Sequence, residues 1–260
     1  MRTTTLALLA TFLASCASEP ASVRTARATP ASSTSSASVA RVEIPTLASS
    51  TSVVASASAS SARATLKRVV VHVFPLGDVS TDTVNAAAEA LRAHAPLDVY
   101  VEKPVSIPTL AKTAEKNRFS ADRLLEYLDG LPLTSRAGVS TNKAKVVGVT
   151  QHDIVTPKNG VPNWGILGLG SLDGKSCVFS TYRMKRAFEK GGGASEELVR
   201  ERLWKVALHE LGHTLGLDHC PNAGCIMEDA KGTVKTVDGE SALCERCTRL
   251  MKEAVDRVGE

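Results

Sequence analysis

The stretch from residue 195 to residue 216 constrains the fold most strongly, because its pattern predicts a long and largely buried helix. Ser195 can cap the helix, two glutamates follow at its positive N-terminal end, and the run continues through LVRERLWKVALHELGHTLG. Its apolar side is supplied by Leu203, Val206, Leu208, Leu211 and Leu215. A buried helix normally excludes charged and strongly polar side chains, so His209, Glu210 and His213 need a chemical reason for being there.

Metal ligation is such a reason. Residues four apart on a helix lie on one side, about 6 Å apart along the axis, so His209 and His213 can share one ion. Glu210 projects from the neighbouring side and can reach a water on that metal without ligating it. Gly216 can end the helix in a conformation that is accessible mainly to glycine, and the turn then returns His219 as a third ligand.

The number of histidines distinguishes two kinds of zinc site. A structural zinc is normally enclosed by four protein ligands, whereas three protein ligands leave a fourth position open, as catalytic zinc requires. We therefore expect a catalytic Zn²⁺ bound by His209, His213 and His219.

The segment HELGHTLGLDH fits the pattern HExxHxxGxxH, and through it the chain resembles the metzincin zinc peptidases. The cysteine that follows is similar to the archaemetzincin branch, which continues with Cys, four residues, Cys-x-Met, a spacer and Cys-x-x-Cys. Here Cys220, Cys225 and Met227 fit the first part, and Cys244 and Cys247 fit the second. The spacer, residues 228 to 243, is one residue shorter than the family's, a change that a surface loop absorbs easily.

The resemblance covers residues 67 to 258 and implies both a fold and an activity. It implies an α/β (α+β) domain with a mixed twisted sheet, packed helices, an active-site helix and a small C-terminal subdomain that carries a Met-turn at Met227. The implied activity is zinc-dependent hydrolysis of peptide bonds, as a protease or aminopeptidase, with Glu210 taking the proton of the zinc-bound water. The alternative from another class is a catalytically silent, zinc-stabilised binding lipoprotein, which would have no need of Glu210.

The four late cysteines have two possible roles. Four thiolates at these spacings suit a tetrahedral structural zinc, while an exported protein could form the local disulfides Cys220–Cys225 and Cys244–Cys247. The family pattern favours zinc, which gives two Zn²⁺ per chain. Cys177, on a predicted strand, is expected to be a buried apolar residue rather than a ligand.

Upstream of the long helix, strands alternate with helices, which argues for a mixed sheet with helices packed on it. Strands are predicted at residues 67–77, 97–102 and 144–150, and helices at 81–94 and at 120–130, the latter between Ser120 and Gly130. Residues 164–184 predict two strands joined around Asp173-Gly174. We expect an extended peptide substrate to lie antiparallel to one of the strands between Trp164 and Thr181.

The N-terminal region predicts export. Residues 1–15 have a short positive start and an apolar run too short for a membrane-spanning helix, and Leu13-Ala14-Ser15-Cys16 resembles a bacterial lipobox. Ser, Ala, Thr and Pro fill most positions up to residue 65, so burial could not offset the entropy of ordering this part. We predict a signal peptide at 1–15, a lipidated Cys16 with a disordered linker to residue 65, and a peptidase domain at 66–260.

The net charge of the chain limits the classes of partner that the sequence predicts. A formal net charge of +4, dispersed along the chain, gives no argument for nucleic acid. The expected partners are a peptide or protein substrate and a membrane contacted through the lipid on Cys16, and the domain is expected to be a monomer. We expect the protein to be anchored in the cell envelope, with the outer membrane favoured, or to be secreted.

Overall fold

The computed structural model describes residues 68–136, 143–186 and 192–259, and these residues fall within one compact unit, Ser61–Glu260. The predicted signal peptide, the predicted lipidation of Cys16 and the predicted linker lie outside the described residues. None of the helices that the described residues form is long and apolar enough to cross a membrane.

A five-stranded sheet forms the centre of the domain. Its order is β2 (Leu97–Val101), β1 (Val69–Leu76), β4 (Lys145–Thr150), β8 (Ser176–Ser180) and β7 (Gly168–Gly170). The first four strands are parallel, and β7 pairs antiparallel with β8 at one edge. Every residue of β1, β4 and β8 is buried, as expected for strands that are covered on both faces.

Helices cover both faces of this sheet. Helix α1 (Thr81–His94) and the long α4 (Glu196–Thr214) share one apolar cluster with β1, while α2 (Ala121–Asp129) packs in a second cluster. The predicted N-cap of α2 is confirmed, because the Ser120 side chain accepts a hydrogen bond from the backbone N–H of Arg123. The predicted strands at 67–77, 97–102 and 144–150 and the predicted helix at 81–94 are confirmed as well.

A second sheet was not predicted. Strands β3 (Arg118–Ser120), β5 (Asp153–Lys158) and β6 (Val161–Ile166) form it, with β5 and β6 joined as an antiparallel hairpin. The hairpin turn is Asn159-Gly160, and both residues have positive φ (52° and 77°), the conformation of the tightest two-residue hairpin turns.

The prediction for residues 164–184 is correct in part. The turn around Asp173-Gly174 does join two antiparallel strands, β7 and β8. The prediction is wrong at both ends. Trp164 belongs to β6 of the second sheet, and Thr181–Met184 is a short helix, α3, because the Ser180 hydroxyl caps it by accepting from the Tyr182 N–H.

The C-terminal part of the chain packs against the buried C-terminal end of α4. It consists of a loop after residue 214, the short helix α5 (Val234–Gly239) and the amphipathic helix α6 (Glu245–Val258). Together the elements give the predicted mixed α/β fold, in which a small C-terminal subdomain closes over the end of the long helix.

Candidate active site and metal-binding clusters

Helix α4 positions the predicted site because both of its ends are fixed. The Ser195 hydroxyl accepts from the Leu198 N–H at the start. At the end, Gly216 has a φ of +88°, and the N–H groups of Gly216 and Leu217 donate to the carbonyls of His213 and Gly212. This double hydrogen bond is the Schellman ending, which turns the chain sharply back toward the helix.

The three predicted histidines meet at this turn. His209 and His213 are buried on α4, and the exposed His219 approaches them from the loop. The Nε2 atoms of His209 and His213 are 3.0 Å apart, and one ring nitrogen from each of the three residues lies within 4.8 Å of the others. The spacing predicted from the sequence is therefore realised as one cluster.

The protonation states of His209 and His213 favour binding of a cation. His209 Nδ1 lies 2.6 Å from the carbonyl oxygen of Ile226, and His213 Nδ1 lies 2.7 Å from that of Leu217, so each Nδ1 carries the hydrogen and donates it. Burial lowers the pKa of His209 to about 3 and lowers that of His213 as well, so both rings are neutral. Both Nε2 atoms then present lone pairs to each other, and a cation between them would satisfy both.

Glu210 is enclosed by the edge strand β7. A Cβ atom built on Gly168 would lie 2.5 Å from the Glu210 side chain, and one built on Gly170 would lie 2.5 Å from the Glu210 carbonyl oxygen. The two glycines therefore allow the strand to approach the helix closely enough to cover this carboxyl group. Burial, followed by the charge of Glu240, raises the pKa of Glu210 to about 8, and a nearby divalent cation would favour the carboxylate instead.

Met227 is buried directly beneath the histidines. A Cβ atom on Gly212, in the turn of α4 between His209 and His213, would lie 2.7 Å from the Met227 sulfur. The Met227 carbonyl accepts from the Cys220 N–H at 2.7 Å, which closes the loop that carries His219. Met227 thus packs against the turn of α4 between His209 and His213, and its role as a Met-turn stays a prediction.

A cleft of about 310 Å³ opens in front of the histidines. Its walls are β7 and the loops on either side of it, the end of β5, and the segment after Met227. The lining residues include Thr156, Lys158, Leu167, Gly168, Leu169, Gly170, Leu172, His209, Glu210, His213, Asp218, His219, Asp229 and Lys231.

The four late cysteines form a second cluster. Their sulfur atoms lie within 4.8 Å of one another, and Cys220 Sγ and Cys244 Sγ are 3.7 Å apart. All four are free thiols, as is Cys177, which is buried in β8 as predicted. Sulfurs at the corners of a tetrahedron around zinc would be about 3.8 Å apart, given Zn–S bonds of about 2.3 Å, so this cluster could hold the ion.

The thiols of this cluster differ in acidity. Hydrogen bonds from the Cys247 backbone N–H and from Asn222 lower the pKa of Cys244 to about 6. Cys244 is also the N-cap of α6, where the helix end favours a thiolate. Burial raises the pKa values of Cys225 and Cys247.

Two features of the site were not predicted. One is the charged wall of the cleft, where Lys158 Nζ lies 3.5 Å from the Asp229 carboxylate; the Asn-Gly turn after Lys158 was the signal that could have located this wall. The other is Glu240, a buried carboxyl whose pKa burial raises to about 8. No periodic pattern marks Glu240, since it lies at the end of a six-residue helix.

Comparison with known proteins agrees with the geometry. The sequence model of Peptidase family M54 matches residues 99–253. The archaemetzincin of Halobacterium salinarum is 33% identical over 184 residues, which cover 70% of this chain and 98% of that protein. The archaemetzincin of Pyrococcus furiosus is 27% identical over 191 residues, covering 73% and 96%.

Solved structures show the same likeness. The crystal structure of archaemetzincin from Methanopyrus kandleri superposes with a TM-score of 0.59 at 25% identity and covers 74% of this chain and 97% of that one. The archaemetzincin from Archaeoglobus fulgidus, crystallised with malonate, gives a TM-score of 0.55 at 27% identity and covers 70% and 99%.

Proposed function

Since this chain belongs to peptidase family M54, we propose that it cleaves peptide bonds with Glu210 as general base and with zinc held by His209, His213 and His219. Family membership supports a zinc-dependent peptidase, similar to the archaemetzincins. The observation that carries the assignment of the ligands is the pair of unprotonated Nε2 atoms facing each other at 3.0 Å. A structural role for the histidines would not require this arrangement, because the two lone pairs would only repel.

The residues around the cluster would each do a defined part of the chemistry. When bound, zinc would lower the pKa of a coordinated water toward about 7 and polarise the carbonyl of the substrate. Glu210 would accept the proton of the attacking water and return it to the leaving amine. The carbonyls of Ile226 and Leu217 would hold the two imidazole rings in the ligating tautomer.

Strand β7 would bind the substrate. It is the last strand of the five-stranded sheet, and its residues Gly168, Leu169 and Gly170 line the cleft beside Glu210. An extended peptide could add to this edge through main-chain hydrogen bonds, antiparallel to the strand. Lys158, Lys231, Asp218 and Asp229 would then lie along the cleft and interact with charged groups of the peptide.

The cysteine cluster would hold a second, structural zinc. The four free sulfurs are close enough to share one ion, and a site with four protein ligands leaves no open position for a reaction. The proposed complement is therefore two zinc ions per chain.

The substitution Glu210→Gln tests the proposed reaction. Peptide-library hydrolysis by the zinc-loaded protein should fall on the order of a thousandfold, because the variant has no base, while metal analysis should still give two zinc ions. The matched control is Glu201→Gln, a half-exposed glutamate on the same helix, which should keep full activity. Equal hydrolysis by Glu210→Gln and the parent protein would rule out the proposed general base, and absence of hydrolysis in the parent protein would favour a silent binding protein.

We also propose that the protein is an envelope lipoprotein, on the strength of the lipobox-like residues 13–16. Incorporation of labelled palmitate that disappears in Cys16→Ser would support lipidation. Equal labelling of both proteins would rule out this anchor.

A further inference from the structure

A small cavity lies beside Glu210 and adjoins the open cleft, with which it shares Leu167, His209, Glu210 and Ala230. Its volume is about 20 Å³. Most of its wall is apolar, and the exceptions are His209, Glu210 and Glu240. The full lining is Leu167, Val206, His209, Glu210, Ala230, Val237 and Glu240.

The size and the polarity of this cavity fit one water molecule. A cavity needs roughly 10–15 Å³ to hold a water, and the water needs two to four polar partners to stay there. The carboxyl groups of Glu210 and Glu240 supply up to four oxygen atoms. His209 supplies none, since its Nδ1 donates to Ile226 and its Nε2 faces the histidine cluster.

The backbone holds Glu240 in place at the end of α5. Its N–H donates to the carbonyls of Thr236 and Val237, and the next N–H, from Ser241, donates to Gly224 at 3.0 Å. The residue is only 4% exposed. The backbone of Glu240 is therefore anchored at the wall of the cavity.

Neighbouring charges do not account for the burial of Glu240. Lys205 is the nearby cation, yet its Nζ already contacts the Glu201 carboxylate at 3.0 Å and the Val237 carbonyl at 3.1 Å. Glu228 and Asp238 are like charges near Glu240. A buried carboxyl without a dedicated ion pair is costly and calls for another hydrogen-bonding partner.

We propose that Glu240 is a positioning residue for the peptidase reaction, which binds a single buried water behind Glu210 and thereby fixes the orientation of the Glu210 carboxyl group. This inference rests on the proposed function, in which Glu210 is the base. The water would lie between the two carboxyl groups, each of which offers it oxygen atoms, and would hold the Glu210 carboxyl group in one orientation.

Glu240→Gln and Glu240→Leu in the zinc-loaded protein test the proposal. Glutamine keeps an N–H donor and an oxygen at the cavity, so kcat should stay within about threefold. Leucine removes the polar partner, so kcat should fall by about ten- to a hundredfold, the range typical of lost supporting hydrogen bonds at a metal site. KM and the zinc content should stay unchanged in both. Glu201→Leu is the control for loss of a carboxylate beside Lys205, and its kcat should equal that of the parent protein.

A crystal structure of the zinc-loaded parent protein gives an answer that does not depend on activity. It should show one ordered water between Glu210 and Glu240. In the structure of Glu240→Leu, that water should be absent and the Glu210 side chain should have a different orientation. An empty cavity, an unmoved Glu210 in Glu240→Leu, or equal kcat losses in the two Glu240 variants would each overturn the proposal. If the parent protein hydrolysed no peptide, the proposed function would fail, while the water and the Glu210 orientation would still decide this inference.

Discussion

The histidine and cysteine clusters adjoin at His219 and Cys220, yet the chain assembles them in different ways. Two of the three histidines lie one turn apart on a single buried helix, and the backbone fixes the ring of each. The four cysteines come from a loop after that helix and from the start of α6, which is well separated in sequence. The first cluster is therefore preorganised by helix geometry, whereas the second depends on joining distant segments.

The two clusters are nevertheless connected. The carbonyl that accepts from His209 belongs to Ile226, which lies between Cys225 and Met227. The loop from Cys220 to Cys225 also follows His219 directly. The cysteine cluster thus holds the segments that orient one histidine and deliver another, and loss of the proposed zinc there should affect the stability of the whole C-terminal subdomain.

Replacement of a cysteine should produce the largest effect on stability. Cys244→Ser keeps a residue that caps helices well, so it removes the thiolate and leaves the start of α6 capped. We expect one zinc ion to be lost and the free energy of unfolding to fall by about 4 kcal/mol, at the upper end for a single substitution because a metal site is broken. For a domain of this size that corresponds to a Tm lower by about 10 °C, measurable by calorimetry.

Cys177→Ala is the matched control for this experiment, since Cys177 is a buried free thiol outside the cluster. It should keep both zinc ions and lose less stability than Cys244→Ser. If the zinc content and Tm of Cys244→Ser were unchanged, the cysteine cluster would not be a zinc site that joins distant segments, and the proposed distinction from the histidine cluster would be wrong.

Gly168→Ala should affect activity and leave both metal sites intact. The added methyl group would lie 2.5 Å from the Glu210 side chain, so the carboxyl must move. A displacement of about 1 Å costs on the order of a hundredfold in rate, and we expect kcat to fall by that factor with two zinc ions retained. Gly192→Ala, where a Cβ atom meets nothing within 4 Å, should leave kcat unchanged. Full activity of Gly168→Ala would show that β7 does not restrain the proposed base.

The sequence predicted the histidine cluster well because all of its determinants are local. The cap at Ser195, the four-residue spacing of His209 and His213, and Gly216 at the helix end each act within one or two turns. The central strands were also predictable, since β1 and β4 are continuous apolar runs buried on both sides.

The second sheet and Glu240 could not be predicted in the same way. Strands β5 and β6 carry Pro157 and Pro162 and are only partly buried, so they lack both the apolar run and the clear alternation of a strand. The position of Glu240 depends on how α5 packs against α4, a contact between segments that have no shared local pattern. Long-range packing produces little recognisable pattern in the local sequence, whereas the spacing of residues along a helix does.

The smallest expected difference between the clusters is in the protons released when zinc binds. Burial raises the pKa values of Cys225 and Cys247, so both thiols hold protons at pH 7.5 and must lose them, whereas Cys244, with a pKa of about 6, is already a thiolate. His209, with its pKa lowered to about 3, and His213, with its pKa also lowered, have no proton to release at that pH.

Zinc binding at the cysteine cluster should therefore weaken as pH falls, by about tenfold per pH unit for each proton held, while His209 adds nothing to this dependence above pH 5. Calorimetric titration of the metal-free protein in buffers of different ionisation enthalpy counts these protons, and Cys244→Ser isolates the histidine cluster. At least two protons more should be released in the parent protein than in the variant, and equal release would show that the cysteine cluster binds no zinc or that its thiols are already ionised.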